Sequence, residues 1–588
     1  MNKVVSELKK VMEDAFEAAG YDRTYGMISL SNRPDLCEYQ CNGAMAAAKK
    51  YGVKPIEVAE KALAVITADA SKMQMFEKIE AVMPGFINIT LSPSYLASYV
   101  EKMTENADFG VDKTGAGKTL VIDYGGANVA KPLHVGHLRS AVIGESIKRI
   151  CRFYGDKVIG DVHLGDWGLQ MGLVITELKH RKPDLVYFDD LYEGEYPAEA
   201  PFTISELEEI YPCASGKSKE DEAYKAEALA ATYDLQHGRK GYRALWKHIL
   251  AVSVADLKKN YGNLKVDFDL WLGESDADPE IPAMVEDLKK SGLAYLSDGA
   301  LVVDVAEETD KKEMPPCMIL KSDGAALYET TDLATILMRE REYKPNEILY
   351  ITDKRQELHF ERVFRCAKKA KIASDDTKLT WIGFGTMNGK DGKPFKTRDG
   401  GVMRLEDLIK QISDAVYDKM DDRDMTEEER TAISLKVGLA ALKYGDLSNQ
   451  ASKDYIFDLD RFASFEGNTG PYIQYTVVRI NSILAKAGAD LKDAKIIATG
   501  SESEKGLFLT LARLNENLAG VYEEKAPHRL CAYMYDLANA FNRFYHDNRI
   551  ISEEDANKKN SWLKLIKLTA DVLTACLDLL GVEVPERM

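Results

Sequence analysis

Two histidines, His134 and His137, stand three residues apart where a predicted strand gives way to a predicted helix. The strand covers residues 120–124, and apolar residues at helical spacing follow the histidines. A helix N-terminus offers free N–H groups and the positive end of the helix dipole, which suits a phosphate. Two imidazole donors at this point would stabilise charge that develops on a transferring α-phosphate. These residues therefore predict a phosphate site for group transfer.

Gly136 and Lys131 extend this interpretation. Gly136 lacks a side chain, so a flat base can approach the backbone between the two histidines. Lys131 precedes the pair and can reach the same phosphates. The tetrapeptide alone leaves two alternatives open, which are a pair of structural histidines and two ligands of a metal site that lacks its third member.

A basic, glycine-rich stretch, residues 389–401, is the second candidate for phosphate chemistry. It holds four glycines and four cations, among them Lys393 and Lys396, and it lies between a predicted strand and a predicted helix. Such a loop can close its lysines over a polyphosphate, and a solvated basic turn is the alternative. Nucleotidyl transfer needs donors on both sides of the α-phosphate, so the loop and the histidines together predict adenylyl transfer.

Both candidates lie in a region where short β-branched runs alternate with helical segments, beginning at Thr119. The predicted strands are at residues 120–122, 158–159, 348–351 and 379–382. Strands separated by helices indicate parallel βαβ units and a doubly wound α/β sheet. Such sheets bind ligands at the carboxyl ends of their strands, which is where the histidines stand.

The chain of 588 residues is too long for one hydrophobic core, and it predicts several domains. Residues 1–112 show helical patterns with a candidate strand at residues 85–89. The α/β region covers residues 113–424 and contains a charged, mostly helical insertion at about 176–262. Residues 425–588 alternate long amphipathic helices without strands, which predicts an all-α domain.

Composition and charge narrow the class of protein. The net charge of −18 argues against non-specific binding to DNA or RNA, although a local basic cluster such as Lys148, Arg149 and Arg152 can still hold RNA. No apolar run is long enough for a signal peptide or a membrane span, so a cytoplasmic protein without a membrane partner is expected. The eight cysteines are scattered, and no zinc site or other tightly bound metal is expected.

Taken together, these residues resemble the class I aminoacyl-tRNA synthetases. The HIGH sequence of that class matches residues 134–137, and its KMSKS sequence is similar to residues 393–397, which keep both lysines. The resemblance to the arginyl branch is closer and spans nearly the whole chain. It rests on NVAKPLHVGHLRS at 128–140, GDWGLQ at 165–170, FKTR at 395–398, TGPYIQY at 469–475 and PERM at 585–588.

The chain departs from the arginyl branch just before Asn128. The family commonly has a Ser-x-Pro-Asn run there, whereas this chain has Gly125, Gly126 and Ala127. Two glycines in place of these residues predict a more flexible loop.

The resemblance implies a Rossmann-like catalytic domain, an α+β N-terminal domain that touches the tRNA elbow, and an all-α anticodon-binding domain. It also implies an arginine pocket, because a guanidinium needs a carboxylate for bidentate pairing and further acceptors around it. By this resemblance Tyr328 and Asp332 hold the guanidinium, and Asp123 matches another acidic position of the arginine-binding set, at the end of the first strand. Asn128 and Gln356 orient the substrate α-amino group. The residues alone leave two alternatives open: Asp332 caps the following helix, and Tyr328 fills the core.

The implied reaction is the ATP-dependent ligation of L-arginine to arginine tRNA. The arginine carboxylate attacks the α-phosphate of ATP, pyrophosphate leaves, and the arginyl-adenylate then acylates the terminal adenosine of the tRNA, releasing AMP. His134, His137, Lys393 and Lys396 are the catalytic residues by this resemblance, with Mg²⁺ neutralising the pyrophosphate. The ATP-binding set is Lys131, His134, Gly136, His137, Lys393 and Lys396. A monomer is expected.

By the same resemblance Tyr472, Tyr475, Tyr545 and Met588 face the anticodon, since unpaired bases stack on aromatic rings. Core packing is the alternative for each. Two other functions stay open, namely an adenylyltransferase that activates a small carboxylate without tRNA, and an RNA-binding factor built on an inactive synthetase fold. The long helical C-terminal region argues against the first, and the intact histidines and lysines argue against the second.

Overall fold

The computed structural model describes residues 1–393, 403–420 and 425–588, and the chain forms two units that alternate along the sequence. The first unit consists of Met1–Thr114, Phe465–Asp578 and Glu583–Met588. The second consists of Gly115–Ser464 and Leu579–Val582. Each unit has its own sheet and its own buried apolar residues.

The N-terminal part of the first unit combines helices with an antiparallel sheet. Its elements are α1 (Val4–Ala18), β1 (Ile28–Leu30), β2 (Tyr39–Cys41), α2 (Gly43–Tyr51), α3 (Pro55–Thr67), α4 (Ala70–Met73), β3 (Phe76–Val82), β4 (Phe86–Leu91) and α5 (Pro93–Met103). The strand order is β1-β2-β4-β3. Strand β4 confirms the predicted strand at 85–89. The other strands escaped prediction because they are short or largely exposed, which blurs the two-residue alternation.

The second unit contains the alternating strands and helices. In chain order these are β5 (Thr119–Asp123), α6 (Val135–Phe153), β6 (Lys157–Asp161), α7 (Leu169–Arg181), α8 (Ile204–Glu220), α9 (Glu222–Gln236), α10 (Lys240–Asn263), α11 (Glu274–Ala277), α12 (Ile281–Lys290), β7 (Ala294–Ser297), β8 (Ala300–Val303), β9 (Cys317–Leu320), α13 (Tyr328–Tyr343), β10 (Glu347–Asp353), α14 (Glu357–Lys369), β11 (Lys378–Phe384), β12 (Met387–Asn388), α15 (Leu405–Tyr417), α16 (Glu427–Leu447), β13 (Tyr455–Ile456) and α17 (Leu459–Phe462).

The main sheet of this unit runs in the order β11-β10-β5-β6, and its neighbouring strands all pair in parallel. The predicted strands and the α/β class are confirmed. Val121, Ile348 and Tyr350 of the sheet are buried against residues of α12, α13 and α14, because β-branched and aromatic side chains pack well on a pleated surface. Asp123 and Asp161 lie opposite each other at the carboxyl ends of β5 and β6.

Two smaller sheets lie outside the predicted pattern. Strands β7, β8 and β9 form an antiparallel sheet, and β12 pairs in parallel with β13. The prediction that strands stop at about residue 425 is therefore wrong, because β13 lies beyond that point. A two-residue strand bonded to a distant partner leaves no periodic pattern in the sequence.

The C-terminal part of the first unit is helical, as predicted. Its helices are α18 (Gly470–Ala487), α19 (Glu502–Ala512), α20 (Leu514–Glu524), α21 (Pro527–Asp547) and α22 (Ala556–Leu579). Helix α21 buries Leu530, Met534, Leu537 and Phe541, a spacing that places one apolar stripe on the core. Among the residues that the structure describes, no helix is both long enough and apolar enough to cross a membrane.

Candidate active site

Helix α6 begins at the two histidines. Nδ1 of His134, the N-cap residue, accepts a hydrogen bond from the N–H of Gly136 at 3.0 Å. Nδ1 of His137 accepts one from the N–H of His134 at 3.2 Å, so the two side chains cap the first turn. Their ring centroids lie 4.0 Å apart. Because each Nδ1 accepts, the proton of each neutral imidazole is on Nε2, which is left as a donor toward a ligand.

Burial favours the neutral form of both imidazoles. It lowers the pKa of His137 to about 3, with His134 adding to the effect. It also lowers the pKa of His134, and the charge of Lys131 contributes. Gly136 is needed between them, since a Cβ there would lie 2.7 Å from Cε1 of His134. Two neutral N–H donors at a helix N-terminus suit oxygens on which charge develops.

The segment that follows the basic loop along the chain, from Met403 on, is hydrogen-bonded to this turn. The carbonyl of Met403 accepts a hydrogen bond from the N–H of Val135 at 3.0 Å. Lys393 is exposed, and its carbonyl accepts a hydrogen bond from the N–H of Gly389 at 2.8 Å, within the same turn. Lys396 lies outside the described residues. The alternative of a solvated basic turn therefore stays open.

Lys131, the predicted phosphate-binding lysine before the histidines, contacts an aromatic ring of the protein. Lys131 is half-buried, and its Nζ lies 4.4 Å from the ring centroid of Tyr211 on α8. This interaction directs the ammonium toward the helical insertion.

The basic cluster on α6 is paired with acidic side chains of the second unit. Lys148 and Arg149 form ion pairs with Glu145 at 2.8 and 2.7 Å, and Lys148 is buried. Arg152 pairs with Asp269 at 2.6 Å. These charges are thus paired with acids of the second unit, and the interpretation of the cluster as an RNA-holding patch stays a prediction.

The loop between β5 and α6 uses its glycines for backbone geometry. Gly125 and Gly126 have φ values of +94° and +63°, a region that favours glycine. The N–H of Gly125 donates to Oγ of Ser140 at 2.8 Å. Asn128 pairs with Gly165, where a Cβ would lie 2.1 Å from Oδ1 of Asn128. The position of Asn128 therefore depends on a glycine in the GDWGLQ stretch.

Asp123 is paired with an arginine of the chain itself. Nη2 of Arg339 donates to Oδ2 of Asp123 and to Oδ2 of Asp161, each at 2.7 Å. Arg339 and Asp161 are fully buried, and Asp123 is nearly so. Two carboxylates on adjacent strands would repel each other without a cation between them. Oδ2 of Asp123 is thus engaged by Arg339, whose Nη2 bonds both carboxylates.

Helix α13 carries two more of the predicted arginine-binding residues. It begins at Tyr328, so Asp332 lies in its second turn and does not cap it, and Tyr328 is 73% exposed. The alternatives of a helix cap and a core tyrosine are therefore wrong. Oδ2 of Asp332 hydrogen-bonds Nε2 of His359 at 2.5 Å. Burial opposes the charged imidazole, but Asp332 and a second carboxylate raise the pKa of His359 to about 9. Gln356 is exposed, three residues before His359.

A carboxylate that the sequence did not single out, Glu274, lies in the same region. It is half-buried at the start of α11, and burial raises its pKa to about 7, with Asp166 and Asp332 adding to the rise. Tyr328 is within electrostatic reach of it. A carboxylate in this setting gains from a bound cation. In the sequence Glu274 is one of several acidic residues between 274 and 280, and nothing distinguishes it from the others. Only the folded structure decides which of these acids faces inward.

In the first unit, the three predicted tyrosines line one cavity of about 450 Å³. Its lining residues are Phe465, Tyr472, Tyr475, Arg479, Asn542, Tyr545 and His546. The guanidinium carbon of Arg479 lies 4.6 Å from the ring centroid of Tyr545, and Asn542 donates to the hydroxyl of Tyr472 at 2.8 Å. Met588 is not among the described lining residues. Aromatic walls with polar groups at the rim suit an unpaired base.

Three family models match the chain. The arginyl tRNA synthetase N terminal domain matches residues 2–91, the catalytic domain of class I (R) tRNA synthetases matches residues 100–459, and the DALR anticodon binding domain matches residues 473–588. The chain is also 59% identical to the arginine–tRNA ligases of Agathobacter rectalis and Alkaliphilus oremlandii, with 100% of each chain covered. The chain belongs to the arginyl-tRNA synthetase family. The resemblance seen in its sequence is confirmed.

Two solved structures of arginyl-tRNA synthetases share the fold of this family member. The enzyme from Plasmodium falciparum has a TM-score of 0.82 at 26% identity, and both chains are covered completely. The enzyme from Thermus thermophilus has a TM-score of 0.78 at 21% identity, again over 100% of both chains, and this similarity concerns the fold alone.

Proposed function

We propose that the chain ligates L-arginine to arginine tRNA, using ATP and passing through an arginyl-adenylate, with release of AMP and pyrophosphate. The observation that carries the proposal is its 59% identity, over the full length, to proteins named arginine–tRNA ligase. Membership of a class I ligase family implies ATP as a substrate. We add Mg²⁺ on the ATP, because the leaving pyrophosphate needs its charge neutralised.

The first step joins arginine to AMP at the N-terminus of α6. An oxygen of the arginine carboxylate attacks the α-phosphorus, and the bond to pyrophosphate breaks. His134 and His137 donate from Nε2 to the phosphate oxygens, beside a Gly136 that leaves room for the nucleotide. Lys393 and Lys396 neutralise the pyrophosphate. No enzyme nucleophile is needed, so catalysis consists of positioning and electrostatic stabilisation.

Lys131 joins the ATP site once a phosphate competes with the ring of Tyr211. The ammonium lies 4.4 Å from that ring centroid, an interaction weaker than a charge-assisted hydrogen bond to a phosphate.

The substrate guanidinium binds among Asp123, Glu274, Tyr328 and Asp332. Two of these acids already hold a cation of the chain, since Asp123 pairs with Arg339 and Asp332 with His359. Glu274 has no such bonded cation in the described region and has the raised pKa of about 7. Binding of arginine should therefore change the protonation of Glu274 more than that of the other acids. Asn128 and Gln356 orient the substrate α-amino group.

The second step transfers arginine to the terminal adenosine of the tRNA. In this proposal residues 113–424 catalyse both steps, residues 1–112 contact the tRNA elbow, and residues 425–588 bind the anticodon. Tyr472, Tyr475 and Tyr545 receive an unpaired base, with Met588 beside them, and the aromatic cavity supports this assignment. A monomeric, cytoplasmic enzyme that binds neither DNA nor membranes remains a prediction from the sequence.

Aminoacylation assays test the proposal against its alternatives. The chain should charge arginine tRNA with L-arginine and should not charge it with lysine, which lacks the planar guanidinium. An adenylyltransferase without a tRNA substrate would exchange pyrophosphate with ATP but leave the tRNA uncharged. An inactive RNA-binding factor would bind the tRNA and catalyse neither reaction.

A further inference from the structure

Arg139 is a buried arginine on α6, two residues after His137, and its guanidinium joins separate segments of the second unit. Nε donates to Oδ2 of Asp446 at 3.0 Å. Nη1 donates to the carbonyl oxygens of Gly385 at 2.8 Å and of Lys453 at 3.0 Å. The side chains of Arg139 and Asp446 are 2% and 0% exposed. Because the guanidinium is rigid and planar, these bonds fix direction as well as distance.

Tyr455 completes this cluster. Its hydroxyl donates to the same Oδ2 of Asp446 at 2.8 Å, and its ring centroid lies 5.1 Å from the guanidinium carbon of Arg139. A buried ion pair adds little net stability, because the cost of removing both charges from water offsets their attraction. We therefore ascribe to the cluster a role in fixing the relative positions of its segments, rather than in raising the free energy of unfolding.

The partners of Arg139 lead into the basic loop. Gly385 follows directly after β11 and precedes β12, from which the chain reaches Gly389 and then Lys393. Strand β12 is held by β13, whose first residue is Tyr455. Arg139 thus ties the entering side of the loop to the helix that carries the histidines.

The exit of the loop is tied to the same turn by backbone bonds. The N–H of Val135 donates to the carbonyl of Met403, and the N–H of Leu405 donates to the carbonyl of Leu133, each at 3.0 Å. On the exit side, backbone bonds make this attachment. On the entering side, the side chain of Arg139 makes the attachment to α6, and a substitution can remove it.

We propose that Arg139, supported by Asp446 and Tyr455, is a positioning residue for adenylate formation. It sets the position of the backbone that carries Lys393 relative to the histidines of α6. This rests on the proposed function, which gives those groups their role. The hydrogen bonds of Arg139 go to Asp446, Gly385 and Lys453, none of which is a proposed arginine-binding residue. Loss of Arg139 should therefore impair the reaction of ATP without weakening arginine binding.

Two variants and one control test this proposal. Arg139→Lys keeps a positive charge near Asp446 but cannot donate to both carbonyls from a planar fork. Tyr455→Phe removes only the hydroxyl bond to Asp446. The control, Arg365→Lys, disrupts a bidentate pair on α14, where Arg365 donates to Asp310 at 2.7 and 2.8 Å.

Arginine-dependent exchange between ATP and pyrophosphate is measured in the presence of arginine tRNA, together with the Tm of each variant. For Arg139→Lys we expect kcat to fall by about 10- to 100-fold, as for a small displacement of reacting groups, while KM for arginine stays within about twofold. Tyr455→Phe should show a smaller loss of kcat in the same direction. Arg365→Lys should lower Tm and leave kcat unchanged.

An unchanged kcat in a folded Arg139→Lys variant would overturn the proposal. So would a loss of kcat matched by an equal rise in KM for arginine, which indicates general loosening of the second unit. If Arg139→Lys does not fold, the same two parameters in Tyr455→Phe decide the question. A wild-type chain that catalyses no exchange with arginine contradicts the proposed function itself.

Discussion

Glutamine in place of Glu274 removes one charge from the proposed arginine pocket and keeps the size of the side chain. In the wild-type protein Glu274 is half-buried near Asp166 and Asp332, and burial raises its pKa to about 7. The guanidinium of arginine stays charged at all accessible pH values and needs the ionised carboxylate. Protonation of Glu274 therefore competes with arginine, so KM for arginine should rise as pH falls through 7.

The expected size of the effect follows from this pKa. The ionised fraction of Glu274 falls from about 90% at about pH 8 to about 10% at about pH 6, so KM for arginine should rise about tenfold over this interval. In Glu274→Gln the pH dependence should disappear. At about pH 8 its KM should exceed the wild-type value by about 10- to 150-fold, as for the loss of a hydrogen bond to a charged group worth about 1.5–3 kcal/mol.

The assay is aminoacylation at saturating ATP and tRNA, with arginine varied at each pH. Other groups face Glu274, but they titrate differently. Burial raises the pKa of Asp166 to about 6, below most of the interval. His359 holds Asp332 and has a pKa of about 9, so it stays protonated throughout. His163 also acts on Glu274, and it is present in both the wild type and Glu274→Gln, so it does not account for a difference between them.

Glu286→Gln is the matched control, because it removes one negative charge from an exposed position on the neighbouring helix α12. It should leave KM for arginine and its pH dependence as in the wild type. A wild-type KM that varies by less than about twofold between these pH values would refute the reasoning. The same holds if Glu274→Gln keeps the wild-type pH dependence.

Four further substitutions probe the remaining contacts. His137→Ala should lower the rate of adenylation by about 10²–10³-fold while arginine binding survives, since it removes a donor used in the transition state; equal losses of both would indicate a folding role. Asp332→Ala should raise KM for arginine by at least about tenfold, and near-normal arginine kinetics would contradict the assignment of Asp332 to the arginine pocket. Gly136→Ala should lower kcat, because the added Cβ would lie 2.7 Å from Cε1 of His134 and would displace its ring; an unchanged kcat would show that the ring tolerates the methyl group. Tyr545→Ala should raise KM for tRNA and leave KM for arginine unchanged, a separation that core packing would not produce.

The sequence predicted the main sheet and the position of the two histidines at a helix start, because both depend on local patterns. Alternation of β-branched runs with helical segments is visible without tertiary information, and parallel strands bring their carboxyl ends to one edge. The position of His134 at the start of α6 follows from the same pattern. Its Nδ1 bond to Gly136 does not, since the rotamer of the imidazole is set by the folded turn.

Contacts between distant segments could not be predicted in this way. Glu274 is one acid among several near the end of the insertion, and its burial depends on Asp166 and Asp332 from elsewhere in the chain. Asp123 looked like a carboxylate for the substrate alone, yet Arg339 reaches it across 216 positions of sequence. Such pairings are decided by tertiary packing, which overrides local preference.

The most direct test of the account is steady-state aminoacylation of arginine tRNA by the wild-type chain, followed together with AMP and pyrophosphate release. The account predicts arginyl-tRNA formed only with L-arginine and ATP, with one AMP and one pyrophosphate released per arginine transferred. Lysine should not be charged. Charging with another amino acid in preference to arginine, or no charging by a folded protein that binds the tRNA, would contradict the central claim.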